Sequence, residues 1–486
     1  MYKPVGISKA YEILRNTKVL IDYYDPDFDG LISGYFIEKF AKKVGIPYRV
    51  YINDDREHGL KITDSKLDEL SKVEGLTIVV VDALMDYEEV ENIVKRGINI
   101  INIDHHENDM SEPIYVECGN AKGIVINNQY LFEPKEYRFL SGAGMVYYVL
   151  KAIIPELVKE DEDEFKALVG ISLLSDIREL ESKEAEEFLN VTYNHESLFT
   201  EYLINLAGGK VDFGFGVRTL DRNFIDYTLS PKINALFRLN KGYEAIDLIR
   251  GKFDGDSATL DVYRNIQKVK VEELKNNLEL KEYSHLYYGY VEDYPSEFKS
   301  TNFIGLLASQ IKNAGKTTML FVKKGNKIIR GSVRGMYDNI DYREIFSKYG
   351  FKCTGHKPAF GIKGDVNEDY LELINKEIME CELGQETKKY EGRIDEVNNL
   401  GFYLMYNAKK LAKHNSYVRE QFRKHIKYTG DLNDVKKNVS KSGKRIEYIV
   451  DDIPIVCFDP NITLENGLIT PIEERGKYTT FYLRGY

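Results

Sequence analysis

The sequence predicts an α/β protein whose first half is a parallel sheet covered by helices. Two observations lead there. Six-residue apolar runs recur at Val19–Tyr24, Leu76–Val81 and residues 98–103, and segments with helical spacing alternate with such runs through about residue 205. Each run then ends in acid: Asp25-Pro26-Asp27-Phe28-Asp29-Gly30 follows the first, Asp82 the second and Asp104-His105-His106 the third. Ligands collect at the carboxyl ends of strands in a parallel α/β sheet, so these three ends are expected to meet.

Asp25, Asp27 and Asp29 alternate with Pro26 and Phe28 ahead of Gly30, which predicts a tight turn into a helix beginning near Leu31. Such a turn aims neighbouring carboxylates at more than one cation. Carboxylate oxygen with imidazole suits Mn²⁺ or Mg²⁺ better than a thiolate-seeking ion, and no cysteine pair lies nearby. Two such ions about 3.5–4 Å apart can activate a water, clamp a phosphate and stabilise the leaving oxygen. Any one acidic end alone reads equally well as a helix cap or a solvated turn, because Asp is favoured at both. Three of them with a histidine pair point to phosphoryl chemistry.

Asp104-His105-His106 is the signature of the DHH phosphoesterases, and the chain resembles that family in the order of its motifs. Residues 167–176 are similar to the family's apolar helix ending in a metal-binding aspartate, here Asp176. Within the family the likeness is to the RecJ single-strand-specific exonucleases. Ser141-Gly142-Ala143-Gly144 resembles their Gly-rich helix start, and Arg56-Glu57-His58-Gly59-Leu60 the segment after their second strand. Residues 231–239, with Asn234 and Arg238, resemble their Arg-Ile-Asn-Ala-Ala-Gly-Arg-Leu stretch. Residues 303–310, Gly331-Ser332-Val333-Arg334 and Thr354-Gly355-His356 resemble the first helix, the Gly-Ser-x-Arg strand and the Gly-Gly-His turn of a DHH-associated domain. The resemblance covers roughly residues 15 to 370.

This resemblance implies two divalent ions, Mn²⁺ ahead of Mg²⁺. Asp25 and Asp27 would hold the first, Asp29, His105 and Asp176 the second, and Asp82 would bridge both. His106 is then left to contact the scissile phosphate or protonate the departing oxygen, a task for a group titrating near neutrality; the alternative is that it orients His105. Arg238, Ser332, Arg334 and His356 would grip substrate phosphates, and Gly355 would let the backbone approach one. Phe237, Thr354 and Phe360 depart from the family pattern and bear on substrate preference. The implied activity is removal of nucleotides from the 5′ end of single-stranded DNA, with a single-strand-binding protein or a helicase as candidate partners. Two other readings stay open: a hydrolase of short oligonucleotides, cyclic dinucleotides or phosphoadenosine phosphate, and a non-catalytic nucleotide or nucleic-acid binder.

The 486 residues are enough for several domains. Expected are a DHH catalytic domain (1–255), a connecting helix (256–285), a DHH-associated substrate-binding domain (286–385) and a C-terminal accessory domain (386–486). Asp256 or Ser257 would cap the connecting helix, which reads from Val262, Ile266, Val269, Val271, Leu274 and Leu278 and equally fits an amphipathic core helix. Residues 156–164 read as an acidic, solvated connection. After residue 386, Tyr390, Phe402, Tyr403 and Tyr406 precede a basic run from Lys409 to Arg445, a combination that suits single strands because bases stack on rings while cations track phosphates. Strand-like runs at 445–450 and 479–484 fit an oligonucleotide-binding barrel, whereas 407–428 reads as helical and argues against a plain five-stranded one. An accessory protein-binding domain is the other reading. A net charge of −11 argues against a protein that coats nucleic acid non-specifically. Four isolated cysteines point to a reducing cytosol, and no signal-peptide core or membrane-length span is present, so a cytoplasmic protein without membrane contact is expected.

Overall fold

The structure is a computed structural model. It describes residues 2–52, 62–108, 112–176, 182–194, 202–203, 205–206, 224–293, 298–325, 327–337, 339–383, 394–397, 425–440, 445–450, 453–457, 459, 462–474 and 477–485. The expected motif at Arg56 to Leu60 lies outside them. The chain falls into two compact units, Met1–Leu383 and Gly384–Tyr486.

After a helix at Ile7–Arg15, the first unit builds a sheet from β1 (Val19–Tyr24), β2 (Tyr48–Ile52), β3 (Leu76–Val81), β4 (Asn99–Asp104), β5 (Tyr115–Cys118) and β6 (Ala121–Asn127), ordered β2-β1-β3-β4-β6-β5. All neighbours are parallel except β5 against β6. The Leu-Thr-Ile-Val-Val-Val run of β3 is wholly buried, as a central parallel strand covered on both faces requires. Register makes the acidic ends meet. Tyr24 pairs with Val81, Val81 with Ile103 and Asp104 with Asn127, so the three strands end level.

The helix after β1 runs Phe28–Val44 and starts three residues before the expected Leu31. Asp27 stays extended and accepts from the Gly30 amide, capping the helix, so Asp29 falls in the first turn. Gly30 is required because a Cβ there would stand 2.1 Å from the Asp25 carbonyl oxygen. Residues 156–164 are helical and not a loose connection: they span Pro155–Glu160 and the start of Glu162–Ser175. Their acids answer lysines of the Phe28–Val44 helix, with Lys39 3.0 Å from Asp161 and 2.9 Å from Glu164.

Asp256 caps the helix Ser257–Asn276 by accepting from the Thr259 amide. That helix ends nine residues short of the expected 285, because Glu279–Glu282 (β7) leaves it to pair antiparallel with β8 (Leu286–Glu292). Leu260, Gln267 and Val271 form its buried stripe; Val262 and Val269 of the expected stripe are more than half exposed. A second sheet follows with β9 (Thr317–Lys324), β10 (Lys327–Arg334), β11 (Lys352–His356) and β12 (Ala359–Lys363), ordered β11-β12-β10-β9-β8-β7. Thr354, Gly355 and His356 close β11 and are not a turn themselves; the bend is Lys357-Pro358, where His356 faces Ala359.

The second unit is a sheet of β13 (Ile394–Val397), β14 (His425–Tyr428), β15 (Lys436–Val439), β16 (Ile446–Val450), β17 (Ile453–Cys457), β18 (Gly467–Glu474) and β19 (Lys477–Gly485), ordered β13-β14-β18-β19-β17-β16-β15. Seven strands exceed the five of an oligonucleotide-binding barrel. Its core holds Ile426, Tyr428, Ile446, Tyr448, Val450 and Ile455, the period-two pattern of strands. Residues 425–428, expected to end a helix, are a strand for that reason; the rest of 407–424, with Lys409 to Lys424, and Tyr390, Phe402, Tyr403 and Tyr406 lie outside the described residues. Among the described residues no helix is long and apolar enough to cross a membrane.

Candidate active site

Asp82 follows β3 in the left-handed region (φ 58°), which Asp tolerates better than most residues. Its amide donates to the Ile103 carbonyl at 3.0 Å, fixing it beside the end of β4, and its Oδ1 lies 2.9 Å from His105 Nε2. The neighbouring glycine is constrained in turn, since a Cβ on Gly142 would come within 2.7 Å of the Asp82 side chain.

Asp29 accepts from the amides of Gly142 (2.8 Å) and Ala143 (2.9 Å) and from the Ser172 hydroxyl. Those amides open the helix Gly142–Ile153, capped by Ser141, so a carboxylate is anchored at the positive end of a helix. His105 Nε2 stands 3.8 Å from Asp29 and 3.7 Å from Asp176, the residue just past the helix Glu162–Ser175.

Donor atoms of Asp25, Asp27 and Asp82 lie within 4.8 Å of one another, as do those of Asp29, His105 and Asp176, and those of Asp82, Asp104, His105 and His106. All six expected ligands are thus brought together in the two expected groups, with Asp82 touching both through His105. Oxygen donors with one imidazole fit a hard divalent cation. Electrostatics agree. Burial, then the charges of Asp29, Asp27, Asp25 and Asp176, push the Asp82 carboxyl well above the usual carboxylate range. Burial, then Asp176 and Asp27, raise Asp29 to about 7. Carboxylates packed this densely favour bound cations that offset their repulsion.

Asp104 carries a role that its place in the motif did not reveal. Its carboxylate receives His106 Nδ1 at 2.8 Å, the His106 amide at 2.9 Å and Asn127 Nδ2 at 3.0 Å. Burial acts to raise its pKa, but the contacts with His106 outweigh it and hold Asp104 at about 2. For His106 burial acts downward, and Asp104, with the charges of Asp176 and Asp25, outweighs it to give about 9.

A cavity of about 260 Å³ opens over these groups. Asp25, Asp27, Asp82, His106 and Asp176 line it together with Arg238, Ser332, Arg334 and His356. Asp29 and His105 are not among its lining residues. His356 Nε2 is 3.5 Å from Asp176, and its ring stacks on His106 with centroids 5.2 Å apart. Arg334 donates to Ser332 at 2.8 Å and to Ser309 at 3.1 Å, while Arg238 donates to Gln267 at 3.3 Å. Gly355 does not line the cavity. At φ 130° it lies against β12, where a Cβ would meet the Ala359 carbonyl at 3.0 Å, so the hairpin itself favours glycine there. Phe237 is buried in the core; Phe360 is buried against Phe346 while edging the cavity. Ser309, Asn302 and Arg330 also line it and were missed; for Arg330 the signal was its alternation with Ser332 and Arg334.

Residues 18–173 match the profile of the DHH family, N-terminal domain. This segment is a DHH-family domain. The chain carrying the DHH domain is 28% identical over 409 residues to a protein of Bacillus subtilis (strain 168), provisionally named SPbeta prophage-derived single-strand DNA-specific exonuclease YorK. The same values hold for its counterpart in Bacillus phage SPbeta. The match takes in 76% of this chain and 66% of those relatives, so the chain spans just under two thirds of their length. Among solved structures, RecJ of Thermus thermophilus in complex with Mn²⁺ is similar with a TM-score of 0.64 at 15% identity, over 100% of this chain and 71% of that one. Exonuclease RecJ bound to manganese is similar with a TM-score of 0.55 at 17% identity, over 79% of this chain and 96% of that one. The DHH domain therefore sits in a chain of RecJ-like fold.

Proposed function

We propose that the protein is a metal-dependent exonuclease that removes nucleotides from the 5′ end of single-stranded DNA. One observation supports this reading: two groups of carboxylate and imidazole donors, each within 4.8 Å, meet at a cavity that Asp25, Asp27, Asp82 and Asp176 line together with Arg238, Ser332, Arg334 and His356. The provisional name of the curated relatives supports the substrate and the RecJ structures support the ions.

Asp25 and Asp27 would hold one ion and Asp29, His105 and Asp176 a second, with Asp82 available to both; a pair of Mn²⁺ or Mg²⁺ ions bound there would supply an activated water and offset charge at the phosphorus. The helix amides on Asp29 fix its oxygens before any substrate arrives. Arg334, Ser332, His356 and Arg238 hold the phosphate and aim it at the acids. As the water oxygen, its proton lost to solvent, bonds to phosphorus and the bond to the 3′ oxygen breaks, His106, oriented through Nδ1 by Asp104, would give the proton on its other ring nitrogen to the departing oxygen. The four free cysteines suit a reducing cytoplasm, and a helicase or single-strand-binding protein suits a substrate of this kind.

End-labelled single-stranded DNA, duplex DNA, RNA and dinucleotides, each incubated with Mn²⁺ or Mg²⁺, test the proposal. Single-stranded DNA is expected to shorten from its 5′ end, and Asp82→Ala to lose several orders of magnitude in rate. Hydrolysis of dinucleotides alone would favour the short-oligonucleotide reading, and undiminished turnover by Asp82→Ala would remove catalysis from this site.

A further inference from the structure

We propose that Arg330 forms a second phosphate subsite, so that the cavity grips a nucleic-acid strand along its length and not only at the bond being cut. The inference rests on the nuclease reading and deepens it. Along β10, side chains alternate between faces. Val333 is fully buried in the sheet's apolar core, and a Cβ on Gly331 would strike Phe321 and Ile362 on the same side. Arg330, Ser332 and Arg334 therefore share the opposite face, and all three line the cavity.

Strand register gives their order relative to the acids. Arg334 pairs with Ala359, which pairs with His356, and His356 reaches Asp176 at 3.5 Å. This rung is the metal end. Ser332, Gly361 and Thr354 make the next rung on that face. Arg330 stands one step beyond; four residues at about 3.3 Å each put it roughly 13 Å along the strand from Arg334. Its guanidinium extends over Gly361, whose missing Cβ would lie 3.7 Å from Nη2.

The backbones of Arg330 and Arg334 lie two rungs apart on one strand face, and their guanidiniums lean toward the Ser332–Gly361 rung between them, Arg334 through its bond to Ser332 and Arg330 over Gly361, which makes a pair of cations suited to neighbouring phosphates of one strand. A single phosphate monoester would engage only the metal-end rung. Arg330 is half-buried at the cavity wall, so replacing it leaves the apolar core of the sheet intact.

Fluorescence anisotropy with labelled thymidylates of two, four and twelve nucleotides, in buffer containing Ca²⁺ in place of Mn²⁺, tests this on the full chain. Arg330→Ala is expected to weaken binding of the four- and twelve-nucleotide strands about tenfold and of the dinucleotide less than about twofold. Arg330→Lys should fall between, since it keeps the charge but not the fork. The slope of log Kd against log salt for the long strand should drop by about 0.7 in Arg330→Ala. Equal weakening at all three lengths, no weakening at any, or no binding by the wild type overturns the subsite. Turnover with Mn²⁺, measured separately, judges the nuclease reading, while Arg330 is judged on binding alone.

Discussion

Asp22 shows what burial does to a single acid away from the metal groups. It sits on β1, fully buried, and accepts from the Tyr48 hydroxyl at 2.9 Å. Burial raises its pKa well above the usual value, and the bonds from Tyr48 and the backbone offset this only in part. A carboxyl raised in the folded state contributes no penalty below its unfolded pKa of about 3.9, and stability is lost as pH climbs from there toward the folded pKa. Asp22→Asn removes that titration while keeping an acceptor for Tyr48. Thermal unfolding should find the variant more stable by roughly 1–3 kcal/mol at pH 8, with the gap closing near pH 4; no gap or a reversed one at pH 8 contradicts the argument. At this scale the sequence revealed most where chemistry and position coincide. The convergence of Asp25, Asp27 and Asp82 was readable because acids at the ends of apolar runs are conspicuous, whereas Asp176 came only from the resemblance of residues 167–176 to a family motif. The contacts of Asp104 were not readable, since nothing in a residue type says which neighbour it will face; Arg330 showed itself only in its alternation with Ser332 and Arg334.

Elements place these residues, and the β11–β12 hairpin illustrates how. Arg343 donates to the Gly355 carbonyl at 2.8 Å and pairs with Asp341 and with Glu107, two residues beyond His105; Lys357 also reaches Glu107 at 3.3 Å. The hairpin that carries His356 is thereby tied to the loop after β4. Glu107→Ala releases that tie. It should raise KM for single-stranded DNA about two- to fivefold with little change in kcat, and the effect should shrink in His356→Ala, where nothing is left to position. Independent, additive losses in the double variant would contradict this. The strands β1 and β3 were legible to the residue, because unbroken apolar runs have one good burial solution. Helix limits were not: Asp27 captures the Gly30 amide and starts its helix early, and residues 279–282 read as helical until β8 offers a ladder.

Across the whole molecule, the order of motifs carried the two-sheet architecture of the first unit, since each motif marks one strand end or helix start. The second unit was less legible. Its short strands pair across long stretches of sequence, β14 with β18 and β17 with β19, and local pattern does not encode such pairing. The net charge of −11 also takes on meaning at this scale, because part of the acidic excess is gathered where cations can bind. Bound ions should therefore stabilise the fold by mass action. Calorimetric titration of the metal-free protein with Mn²⁺ tests the central claim most directly. The account predicts two ions per chain for the wild type and the loss of at least one in Asp82→Asn, a substitution that keeps the left-handed backbone comfortable. Wild-type protein that takes up one ion or none, or Asp82→Asn that still binds both, would contradict it.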